Sequence, residues 1–115
     1  MHPLTVLGDP VRRSLLDRLA AGECPAGQLA SAARADFGIG ASAVSQHLAV
    51  LRQAGFVAMR PRGRERLYRI SGEGFSVAQG WLDRFRPFWS AAFDRLAADL
   101  DREAGDGNSR ISEAP

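Results

Sequence analysis

The sequence predicts an α+β domain, mostly helical, in which a helix-turn-helix precedes a two-stranded hairpin and further helices lie at both ends. Three observations carry this. Gly40 to Gly55 reads GASAVSQHLAVLRQAG, with Val44, Leu48 and Leu51 at i, i+4 and i+7 on one side of a 3.6-residue period. Two strand-like runs, 56–60 and 66–70, follow it, joined through Arg62-Gly63-Arg64-Glu65. A long amphipathic stretch rich in aromatic residues then closes the pattern.

A chain of 115 residues, 45% hydrophobic and 24% charged, is long enough for one core, expected over 1–104, with a polar disordered tail over 105–115. Its apolar runs are short, and MHPLTVLGDP has neither a basic start nor a long apolar centre, so no membrane contact and a cytoplasmic protein are expected. The lone Cys24 has no intramolecular disulfide partner, which fits a reducing compartment. Net charge is only +2, yet Arg60 to Arg69 holds five Arg and one Glu. Positive charge is therefore concentrated at the hairpin, where a partner such as double-stranded DNA would meet it.

In chain order, Leu4, Val6 and Leu7 form a short apolar segment that must dock on something larger. Asp9 as N-cap and Pro10 at the first position open a helix with Leu15, Leu16, Leu19 and Ala20 inward, ended by Gly22. Arg12 and Arg13 stand in its first turn, against the helix dipole, and are expected to pair with an acid or a phosphate. A second helix runs from Pro25 to about Ala35 with Leu29, Ala32 and Ala33 inward. The turn Phe37-Gly38-Ile39-Gly40 leads into the central helix, which lacks a Ser or Asn at its first cap position, so Ser42 is a candidate for a later cap. Gly55 ends it. Ser71 is expected to cap a last helix from about Gly72 to Glu103, kinked within 83–87 by Pro87.

The central helix turns Ser42, Ser45, Gln46, Ala49 and Gln53 outward. Short and amide side chains let a helix sit deep in the major groove, where Gln pairs bidentately with adenine and Ser meets base edges or phosphate. Ser42, Ser45, Gln46 and His47 are the candidate base contacts, and Arg62, Arg64 and Arg66 the candidate backbone contacts. The bland alternatives are an ordinary amphipathic surface helix and a hairpin whose charges only keep an edge soluble. Trp81, Phe85, Trp89, Phe93 and Leu96 lie on a stripe wider than one small domain covers, so with Leu4 and Leu7 they are expected to form a homodimer interface. No Ser, His and acid arrangement, carboxylate pair or phosphate-cradling loop stands at useful spacing, so no enzyme is expected.

The ordered triple GDPVRRSLLDRLAAGE, VSQHLAVLRQAGFV and RPRGRERLYRI resembles the ArsR family of winged helix-turn-helix transcriptional repressors, over about Leu4 to Leu100. The resemblance implies that the helix with Ser45, Gln46 and His47 enters the major groove, that the Arg-rich hairpin follows flanking phosphates, and that the terminal helices pair two subunits. It also marks departures. Metal-sensing members carry paired cysteines before the recognition helix, or His and carboxylates on the last helix. Here the first region reads ECPAGQLA and 81–103 contains no His, so no metal and no cofactor are expected. Persulfide sensing would need a second cysteine, and Cys24 is expected to be an inert residue at a helix start. The expected function is a metal-independent homodimeric repressor on an inverted-repeat operator. A winged-helix protein-interaction module and a sensor of a small effector remain the alternatives.

Overall fold

The computed structural model describes residues 1–113, and the side chains of 1–105. Residues 1–79 and 80–115 divide into two compact units. In the first, Pro3–Val6 forms a single helical turn, α1, with His2 Nδ1 accepting from the Leu4 amide. Val6 is fully buried and Leu4 and Leu7 half-buried, so the N-terminal apolar segment docks as anticipated. Pro10–Leu19 is α2, and one Asp9 carboxylate oxygen accepts from the amides of Val11 and Arg12 at 2.8 and 3.1 Å. Val11, Leu15, Leu16 and Leu19 point inward, whereas Ala20 is exposed.

Arg12 and Arg13, expected on an acid or a phosphate, instead hold the end of α1. Arg12 Nε donates to the Val6 carbonyl at 2.7 Å, and Arg13 Nη1 to the Leu7 carbonyl at 2.8 Å. A one-turn helix ends in carbonyls with no partner further along the chain, and two guanidinium groups satisfy them.

Cys24–Pro25 forms a short strand, β1, where the sequence suggests only a helix start. Two residues are too few for a period-2 pattern, so this strand exists through its pairing with a distant one. Ala26–Phe37 is α3, with Leu29 and Ala33 buried, and it ends at Gly38 in the left-handed region, φ 69°. Ala41–Gln53 is α4. Its cap position is Gly40, with no side-chain bond, so Ser42 does not act as the substitute cap. Its end is a Schellman motif: Phe56 N–H donates to the Leu51 carbonyl and Gly55 N–H to that of Arg52, with Gly55 at φ 81°.

Val57–Arg62 and Glu65–Ile70 are β2 and β3, paired antiparallel from Val57↔Ile70 to Arg62↔Glu65. Gly63, at φ 61°, takes the first central position of the two-residue loop, which favours glycine. Because Cys24 and Pro25 pair with Tyr68 and Leu67, the sheet has three strands in the order β1-β3-β2. Pro25 and Pro61 thus both fall on edge strands, where a missing N–H breaks no central ladder. Val6, Leu15, Leu29, Val44, Leu48, Leu51 and Phe56 fill the core between α1–α4 and the sheet.

Glu73–Asp83 is α5. Ser71 does not cap it; the Ser71 amide donates to Phe56 O, and the first helical bond runs from Ser76 to the Gly72 carbonyl. Gly74 N–H donates to Gly55 O at 2.8 Å, and an added Cβ at Gly74 would lie 2.8 Å from Ala54 O and 2.9 Å from the Phe56 ring. Only glycine lets the two backbones come this close.

In the second unit, Arg86–Glu113 is α6. The single kinked helix expected over 72–103 is two helices, with Arg84 and Phe85 outside both. Pro87 falls in the first turn of α6, where an amide N–H has no helical acceptor, so the chain restarts instead of bending. Trp89 Nε1 donates to Leu82 O at 3.4 Å, Arg86 pairs with Asp83 at 2.7 Å, and the Arg86 guanidinium stacks over the Trp89 ring. The backbone of α6 extends into the stretch read as a tail over 105–115, of which the side chains of 106–115 and all of 114–115 lie outside the described residues. No helix among the described residues is long and apolar enough to cross a membrane.

Candidate nucleic-acid interface

The alternation of faces on α4 follows from its period. Val44, Leu48 and Leu51 are 1%, 2% and 0% exposed, which fixes the helix on the core and leaves Ser42, Ser45, Gln46, Ala49 and Gln53 in solvent. Thirteen residues give a rod of about 20 Å with this small polar face along it. Ser42, Ser45 and Gln46 make no hydrogen bond to other described residues through their side chains, so their donors and acceptors are open to a partner.

His47 differs from its neighbours. It is half-buried, and its Nδ1 lies 3.4 Å from Arg12 Nη1 on α2. Asp9 stands in the same cluster. Burial raises its carboxyl, but the hydrogen bonds from the Arg12 and Val11 amides, with the Arg12 charge beside them, outweigh that and leave it below its ordinary value. Arg12 is therefore a site residue that the helix-by-helix reading misses. Its only sequence signal is a cation placed against the dipole of its own helix, which reports a partner elsewhere without naming it.

The hairpin arginines are all exposed but not equivalent. Arg62 pairs with Glu65 across the strand ends at 3.0 Å, whereas Arg64 and Arg66 have no ion-pair partner among the described residues. Arg60 is held bidentately by Glu23 at 2.7 and 2.9 Å, and these bonds keep the Glu23 carboxyl below its ordinary range. Arg64 and Arg66 line a groove of about 500 Å³ with Pro25, Ala26, Gly27 and Gln28 at the start of α3. Arg66 and Tyr68 also border a smaller hollow shared with Ser45, which brings the hairpin and the outer face of α4 to one side of the first unit.

Cys24 sits in β1, not at a helix start. Burial pushes its thiol up, partly opposed by the Arg18 charge, and Sγ lies 3.6 Å from Gln28 Oε1. A raised thiol is a poor nucleophile and metal ligand. No group of three or more His, Cys, Asp or Glu suited to a metal occurs among the described residues.

On the second unit Trp81, Phe85, Phe93 and Leu96 are 39%, 40%, 60% and 51% exposed, with Phe88 and Leu100 exposed beside them. Trp89 is half-buried, since its indole is engaged at the α5–α6 corner.

A helix-turn-helix whose second helix carries a short polar outer face, followed by an arginine-tipped hairpin, defines a winged helix-turn-helix DNA-binding protein. Known proteins agree with this. Residues 7–60 match the family described as a helix-turn-helix domain. The transcriptional regulator Rv2034 of Mycobacterium tuberculosis is 38% identical over 100 residues, covering 87% of each chain. The crystal structure of a possible transcriptional regulator for arsenical resistance superposes with a TM-score of 0.65 at 39% identity, covering 86% of this chain and 96% of that one. The homodimeric winged helix-turn-helix domain Mb0332 of Mycobacterium bovis gives 0.56 at 25% identity, over 77% and 81%. The chain belongs to the ArsR family of winged helix-turn-helix transcriptional regulators, and it is a DNA-binding protein, not an enzyme.

Proposed function

We propose that this regulator acts in the cytoplasm as a metal-independent homodimeric repressor, each α4 entering one major groove of an inverted repeat. The carrying observation is that Arg66 of the hairpin and Ser45 of the α4 outer face border one hollow of the first unit, and that Arg64 lines the groove next to it together with Arg66. Ser42, Ser45, Gln46 and His47 read bases, while Arg64 and Arg66, with Arg62 released from Glu65, neutralise flanking phosphates. The exposed Trp81, Phe85, Phe93 and Leu96 and the half-buried Leu4 and Leu7 supply the apolar seam between subunits. Two-fold symmetry then sets half-sites about 34 Å apart, one helical turn, or a multiple of it.

Selection of bound duplexes from a random DNA pool at physiological salt gives the motif and its symmetry, and the Gln46→Ala variant tests the assignment. It is expected to lose on the order of 1–3 kcal/mol on the selected site and little on random DNA. Equal loss on both would remove Gln46 from sequence reading. A selected motif without inverted symmetry would remove the dimer geometry.

A further inference from the structure

The contact between Arg12 and His47 joins α2 to the outer helix, and its chemistry is asymmetric. A guanidinium is always charged and has only donors, so a hydrogen bond from Arg12 Nη1 requires a lone pair on His47 Nδ1. Arg12 cannot swing freely, because its Nε is committed to the Val6 carbonyl at 2.7 Å. A neutral imidazole whose Nδ1 bears the lone pair carries its proton on Nε2. No side-chain nitrogen or oxygen among the described residues is both buried and unpartnered, and Nε2 has no partner, so Nε2 reaches solvent.

We infer that Arg12 is a positioning residue for DNA recognition: it fixes the neutral His47 ring as the Nε2–H tautomer and presents that N–H outward as a hydrogen-bond donor. The inference rests on α4 being the DNA-reading helix, and it adds what His47 selects. The partner must be an acceptor: a phosphate oxygen, or a base atom such as guanine O6 or N7. It excludes the amino groups of adenine and cytosine, which can only donate. An imidazole without the Arg12 contact would exchange tautomers and match donors and acceptors alike, so Arg12 converts an ambiguous side chain into a specific one.

The test has two arms on the full chain. Long-range ¹H–¹⁵N correlation of the free protein reports which ring nitrogen of His47 is protonated. Wild type is expected to show a protonated Nε2 and an unprotonated Nδ1, and Arg12→Met to show averaging of the two. Arg13→Met loses the parallel bond to the Leu7 carbonyl without touching His47, so it reports any loosening of α1 alone and is expected to leave the ring signals unchanged. A protonated Nδ1 in the wild type, or an unchanged ring in Arg12→Met, would overturn the inference.

The second arm uses the duplex that the wild type selects from a random pool. His47→Ala is expected to weaken binding of the dimer about 25- to 100-fold, the effect of one lost hydrogen bond in each of the two subunits. The double variant with Arg12→Met should bind no more weakly than His47→Ala alone, whereas additive losses would show Arg12 acting independently of His47. Methylphosphonate and 7-deazaguanine substitutions distinguish phosphate from base as the acceptor, and one of them should abolish the difference between wild type and His47→Ala. A correctly held ring with DNA binding indifferent to His47→Ala would overturn the reading of α4 and the donor's role with it. A freely exchanging ring with binding still sensitive to His47→Ala would overturn Arg12's part alone.

Discussion

The ion-pair pattern of the hairpin makes a quantitative prediction about salt. Among the five arginines of 60–69, Arg60 is neutralised by Glu23 and Arg62 by Glu65, which leaves Arg64, Arg66 and Arg69 without an ion pair among the described residues; of these, Arg64 and Arg66 stand nearest the hairpin tip and are the charges ready to meet phosphate. Each phosphate contact contributes about 0.9 to the slope of log K against log salt, so Arg64→Ala, removing two contacts per dimer, should flatten the slope by about 1.8. Raising salt fourfold would then cost the wild type about twelvefold more affinity than it costs the variant. Arg62→Ala should flatten the slope less, because its charge already faces a carboxylate. Glu65→Gln should steepen it by up to about 1.8, because it returns Arg62 to the pool of unpaired cations and the pair itself is worth only about 0–1 kcal/mol at an exposed site. Fluorescence anisotropy of a labelled duplex over a salt series measures all three. Equal flattening by Arg62→Ala and Arg64→Ala would refute the argument that the ion pairs rank these residues, and no flattening by either would detach the hairpin from the phosphates.

Three further predictions follow from packing and titration. Gly74→Ala places a Cβ against Ala54 O and the Phe56 ring and should destabilise the fold by about 1–3 kcal/mol, read by urea unfolding; a change under about 0.5 kcal/mol would show that α5 can shift at no cost. Asp9→Ala should remove about 1 kcal/mol at neutral pH through the lost cap. Because the folded carboxyl lies below its ordinary 3.8, that stabilisation is present above this value and is lost as pH falls through the folded one, so wild type and variant should converge in acid; a gap constant from about pH 6 to 3 would contradict this. Phe93→Glu, at a ring 60% exposed, should leave the subunit folded and shift the mass in solution to that of a monomer; a variant that stays dimeric would place the seam elsewhere. Trp89→Glu is a poorer probe, since it also removes the indole bond to Leu82 O.

The elements whose cause is local were legible in the sequence. Asp9-Pro10 starts α2, Gly55 ends α4, Gly63 turns the hairpin, and the Val44, Leu48, Leu51 spacing orients α4, because capping, left-handed glycine geometry and helical period each act within a few residues. The outer residues of α4 and the hairpin arginines were legible for the same reason. What escaped was decided by residues far apart in the chain. β1 is a strand only because Tyr68 and Leu67 lie beside it. Ser71 lost its cap role to a close approach of Gly55 and Gly74, and Arg12 and Arg13 found carbonyls of α1 in place of anions. The pairing of Arg60 with Glu23, 37 residues away, silences one cation that composition counts as available. Sequence periodicity thus determined which side chains of α4 face solvent, and tertiary contact alone decided which of the described charges are ion-paired and that His47 Nδ1 meets Arg12, since both depend on partners brought within bonding distance only by folding.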